Sequence, residues 1–137
     1  MAVVRDSRAG FETTDPRWVG DAVNEAEKPI LGALDGYRAA VFTKDAAAFV
    51  ALYDRDVRVF DMWGECSYVG VEAWRGMAKD WFASLGAERV AVDVDGVQTI
   101  RDRLTWAPRR KDGAWKIVHE HTSAPVDFKT SKLIAHD

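Results

Sequence analysis

The stretch YRAAVFTKDAAAFVALYDRDVRVFDMWG, residues 37–64, decides the fold. It opens inside an apolar stripe in which Ile30, Leu34, Tyr37 and Val41 recur at spacings of four, three and four, widened by Leu31 and Phe42. That period belongs to an amphipathic helix. It predicts a helix from about Ala22 to Thr43, with Pro29 marking an alternative start because proline suits a first turn. Asp45 then suits an N-cap for a second, shorter helix with Phe49, Leu52 and Tyr53 on its inner side. The β-branched and aromatic run Asp56–Trp63 predicts a strand, turned at Gly64.

Outward from that stretch, a short strand Cys66–Val69 is expected, ended by Gly70. A third helix, Val71–Leu85, carries Trp74, Met77, Trp81 and Leu85 on one face and stops at Gly86. Val90, Val92 and Val94 alternate with Ala91, Asp93 and Asp95, the pattern of a half-buried strand. Arg103–Arg109 and Trp115–Ser123 flank Lys111-Asp112-Gly113, a hairpin signal. Helices followed by antiparallel strands make the class α+β. Residues 1–20 read as an N-terminal arm, 21–127 as the folded domain, and 128–137 as a C-terminal tail.

One run resists this reading. Between Val97 and Ala107 there is no Gly, Pro or Asn, although both sides read as strand. Twenty continuous strand residues would span about 66 Å, against a radius of gyration of about 14 Å for such a domain. The run therefore predicts either a sharp bulge near Ile100-Arg101 or an absent segment. The second is preferred, with a native chain longer than the present one.

Composition narrows the function classes. The 137 residues carry 19 Lys and Arg against 22 Asp and Glu, a net charge of −3 that argues against a nucleic-acid partner. Six Trp supply large buried area and suit the wall of an apolar pocket. The single cysteine, Cys66, excludes an intramolecular disulfide and a cysteine-rich zinc site. No apolar run of membrane-spanning or signal-peptide length occurs, so a cytoplasmic domain with no membrane partner is expected.

The run from Tyr37 to Gly64, followed by a glycine-capped helix, resembles the nuclear transport factor 2-like superfamily. The ending RLTWAPRRKDGAWKIVHEHTSAPVD, with its W-x-x-V-H-x-H-x-S strand, resembles the SnoaL-like branch and the calcium/calmodulin-dependent kinase association domain. The resemblance covers about residues 25–127. It implies a cone: a curved antiparallel sheet wrapped around N-terminal helices and an apolar pocket, with homodimers common. Similarity to ketosteroid isomerases implies roles for two residues. Tyr37 matches the oxyanion-hole tyrosine and Asp61 the catalytic base, which would move a proton next to a carbonyl without a cofactor. The isomerases' protonated acid has no match near Arg103–Thr105, because Asp102 is expected on the opposite face. The same resemblance leaves open a non-catalytic, ligand-binding or oligomerising module.

His119 and His121, at i and i+2, share a strand face with Ile117, opposite Val118, Glu120 and Thr122. A two-residue turn would set the histidines opposite Trp106 and Leu104; a three-residue loop would set them opposite Thr105 and Arg103. The second register is preferred, giving a polar cluster of Arg103, Thr105, His119 and His121 able to hold an anionic ligand. His119 or Arg103 would then stabilise a developing anion in catalysis. A His-x-His pair lacks the third protein ligand that a zinc site needs, so no metal is expected. Trp63, in phase with Asp61, is placed on the cavity wall, with Tyr53, Tyr68 and Trp74 as further ligand contacts. The expected ligand is small, and hydrophobic or carboxylate-bearing.

Overall fold

A computed structural model of the chain describes residues 2–5, 25, 27–93 and 100–134. Among the described residues there are three helices and seven strands. Helix α1 spans Lys28–Thr43, with Pro29 in its first turn, so the proline rather than Ala22 marks the start. Lys44, in the left-handed conformation with φ 57°, ends it. Helix α2 spans Ala46–Ala51, and its Asp45 cap accepts the Ala48 N–H at 2.9 Å. Helix α3 spans Val71–Ser84, as its apolar period predicts.

The strands are β1 (Ala2–Arg5), β2 (Tyr53–Phe60), β3 (Tyr68–Val69), β4 (Val90–Asp93), β5 (Ile100–Arg101), β6 (Arg103–Lys111) and β7 (Ala114–Ser123). Strand β2 begins and ends three residues earlier than the sequence suggests. Its neighbour across the sheet, β7, fixes that start, because the Ile117 N–H donates to the Leu52 carbonyl at 2.9 Å. One sheet runs β3-β2-β7-β6 and a second runs β4-β1-β5.

The expected antiparallel sheet is corrected in one respect: β2 and β7 run parallel. Parallel neighbours need a long connection, and β3, α3 and the strands beyond supply it. Ala2–Arg5, from the N-terminal arm, lies between β4 and β5. The turnless run is therefore not one strand, since β4 and β5 flank β1 and β6 joins the other sheet. Residues 94–99, including Val94, lie outside the described residues, as do 6–24. Near the C-terminus, Val126 bridges to Leu133 around a turn capped by the Asp127 carboxylate.

Helices α2 and α3 pack against β2 of the larger sheet, and α1 packs against α2 and β4. Phe49 of α2 is fully buried, and its ring lies 5.1 Å from Tyr37, 5.5 Å from Tyr53, 5.9 Å from Trp74 and 5.8 Å from Phe82. Burying each such side chain stabilises by about 1.5–3 kcal/mol, so this aromatic knot is where the three helices and the sheet are held together. Arg38 pins α1 to β4, its Nε donating to the Val92 carbonyl at 3.2 Å.

Candidate functional site

Glu120 occupies the middle of β7, between Val59 of β2 and Trp106 of β6. It points into the concave side and is 1% exposed. Its Oε2 accepts two hydrogen bonds, from the Tyr53 hydroxyl at 2.5 Å and from the Trp106 indole N–H at 2.7 Å. Burial pushes its carboxyl up to about 7. The two donors pull the other way, and the nearby charges of Asp61 and Asp102 add to the rise.

Asp61, half-buried at the end of β2, faces the same region. Its Oδ1 accepts from the Thr122 hydroxyl at 2.8 Å and from the Met62 N–H at 2.8 Å. Tyr37 is buried on α1, its ring 5.5 Å from that of Trp106. Burial holds the Tyr37 phenol well above its ordinary value, and the charges of Glu120, Asp102 and Asp61 raise it further. Asp102, half-buried, has its carboxyl raised chiefly by burial. The Trp74 indole N–H is buried in the same aromatic wall with no hydrogen-bond partner. This wall carries acids, phenols and indoles, and is suited to proton transfer.

Tyr37, Tyr53 and Trp74 pack around Phe49, and Asp61 lies just past the end of β2 against Thr122. Tyr68 packs against Trp74 at 5.2 Å. Trp63 does not join them: the chain leaves strand geometry after Phe60, and Trp63 is 51% exposed.

The histidine cluster is also displaced. The Asp112-Gly113 turn has two residues, both with positive φ (50° and 81°), so the preferred three-residue loop is not formed. A bulge at Val118 then shifts the ladder by one residue. His119 lies opposite Ala107 and His121 opposite Thr105, which is neither expected register. The bulge also moves Ile117 to the buried face with Glu120 and Thr122. Arg103, Thr105, His119 and His121 do share a face, but it is the outer one, where His119 stacks on Phe60 at 5.5 Å. Sequence reasoning missed Glu120, Thr122 and Trp106. The available signal was an acid in the middle of an alternating strand, on the face opposite the histidines.

Glu120 makes stability depend on pH with a definite sign. Its folded pKa, about 7, lies above its unfolded value of 4.5, so the native state binds the extra proton between them. Stability is full below about pH 4.5 as far as this group is concerned, and is lost as pH rises through 7. The loss is on the order of 3 kcal/mol. Glu120→Gln, which cannot ionise, is expected to flatten urea-derived stability over pH 5–8 and to be the more stable protein at pH 8. An unchanged slope contradicts the assignment.

No family model and no curated protein matches the sequence. Solved structures do. A nuclear transport factor 2-like protein of unknown function from Pseudomonas putida superposes with a TM-score of 0.71 at 23% identity, over 82% of this chain and 95% of that one. A protein described as a calcium/calmodulin dependent protein kinase II association domain, from Xanthomonas campestris, gives 0.58 at 15% identity, over 74% and 89%. One described as an aromatic ring hydroxylase, from Novosphingobium aromaticivorans, gives 0.60 at 16%, over 82% and 91%. Among the described residues, no helix is long and apolar enough to cross a membrane. The chain has the nuclear transport factor 2-like, cystatin-like α+β fold.

Proposed function

We propose that the domain binds a small, neutral, carbonyl-bearing molecule on its concave face and moves a proton next to the carbonyl. No cofactor takes part. The observation that carries this reading is Asp61, its carboxylate fixed by the Thr122 hydroxyl, on the sheet face that also carries Glu120 beside the aromatic wall of Tyr37, Tyr53 and Trp106.

The roles follow from what holds each group. Asp61 is the base, because its Oδ1 is fixed by the Thr122 hydroxyl and the Met62 N–H. It takes the α-proton. The C–H electron pair then forms the enolate double bond, and the carbonyl π pair moves onto oxygen. Tyr37 donates a hydrogen bond to that oxygen. Returning the proton from Asp61 to a different carbon completes an isomerisation, with nothing gained or lost. Glu120 and Tyr53 hold the wall in place behind these groups.

A cluster of carboxyls disfavours an anionic ligand. With Arg103, His119 and His121 on the outer face, they cannot serve this site as anion stabilisers. Asp61→Asn is expected to lower turnover of a steroid-like enone by about 10²–10⁴-fold while leaving ligand binding measurable. Absence of turnover by the parent protein across a panel of enones and ketones would overturn the reading.

A second reading, an oligomerising module, has its own support. The outer face exposes Phe60 (45%) and Val69 (58%) beside Arg58, an apolar patch that a second copy would cover. On this reading the protein sediments as a homodimer and Phe60→Glu sediments as a monomer. A monomeric parent contradicts it.

A further inference from the structure

A groove of about 220 Å³ opens between the first turns of α1 and the β6–β7 hairpin, on the far side of Trp106 from the acidic cluster. Pro29, Ile30 and Gly32 form one wall, and Trp106, Trp115 and Ile117 the other. Lys116 is the only charged residue among the described residues that line it. Ile30 and Trp115 are each 48% exposed at its edges.

The two glycines of α1 separate packing from vacancy. A glycine inside a helix costs about 1 kcal/mol relative to alanine. At Gly36 the cost has a packing reason, since a Cβ there would come within 3.0 Å of Leu52 Cδ2. At Gly32, one turn earlier and on the groove wall, a Cβ would meet nothing within 4 Å. Among the described residues no neighbour demands that glycine, and it lines the groove.

We infer that this groove is a binding site for a small planar aromatic carboxylate. Its volume is below that of a drug-sized pocket, which suits one ring or two fused rings. Two indoles, an isoleucine on each wall and a proline offer an apolar slot for such a plane. The Lys116 ammonium donates to the Ala51 carbonyl, which holds it at the rim with donors left for a carboxylate. An anion would find no carboxylate among the described lining residues, in contrast with the acidic cluster beyond Trp106. The site is independent of the proton-transfer reading and requires no turnover.

The test uses 2-naphthoate and its neutral analogue 2-naphthalenemethanol as probes, with saturation-transfer NMR and calorimetry on the whole chain. Saturable naphthoate binding is expected, with the neutral probe weaker. Gly32→Phe, which fills the slot, should abolish binding of both. Lys116→Met should weaken naphthoate by at least about three-fold, the size of a partly exposed ion pair, and leave the neutral probe unchanged. Lys116→Arg should restore naphthoate binding. Should Gly32→Phe fail to fold, the two Lys116 variants decide. Naphthoate that does not saturate, or that binds Lys116→Met as tightly as the parent, overturns the inference.

Discussion

The fold and the site both depend on one buried carboxyl. Glu120 lies on the concave side, with Tyr53 of β2 and Trp106 of β6 donating to the same oxygen. An unpaired carboxylate at that depth would be strongly destabilising, so the three strands must stay in the register that delivers both donors. The aromatic knot around Phe49 supplies the apolar burial that closes the helices over them. That same burial raises the acid's affinity for its proton, so packing and proton chemistry have a single cause.

A one-residue irregularity decides which chemistry faces inward. Strand side chains alternate, so a slip of one residue exchanges the two faces. The extra residue at Val118 puts Ile117, Glu120 and Thr122 on the buried face and leaves His119 and His121 outside with Thr105 and Arg103. The concave side is consequently acidic and phenolic, and the convex side carries Arg103 and the two histidines. A sheet with the opposite slip would hold anions where this one disfavours them. The solved structures of the same fold include proteins described as a ring hydroxylase and as an association domain. The fold thus leaves function to such local choices.

What was legible in the sequence is what local chemistry controls. Pro29, Asp45 and Gly86 mark helix ends through backbone preferences that act within a few residues, and all three helices lie where they point. Tyr37 and Asp61 were singled out by a resemblance, Tyr37 by its place before the Lys44-Asp45 turn and Asp61 by its place in the FDMWG stretch. The bulge at Val118 has no glycine or proline in its own strand and lies opposite Pro108 of β6, which has no N–H to give the ladder, so its signal is visible only once the two strands are paired. Trp63 was misplaced for a related reason: alternation was extended past Phe60, where strand pairing had already ended. Glu120 escaped notice because a charged residue in a strand reads as solvent-facing until its donors, Tyr53 and Trp106, are brought beside it from 67 and 14 residues away.

The direct measurement is the titration of the Glu120 side-chain carboxyl, followed by carbon-13 NMR in protein labelled at glutamate. The account predicts a midpoint near 7, shifted further upward in Tyr53→Phe, where the carboxylate loses one of its two donors. A midpoint at the ordinary glutamate value, or a downward shift in that variant, would contradict it.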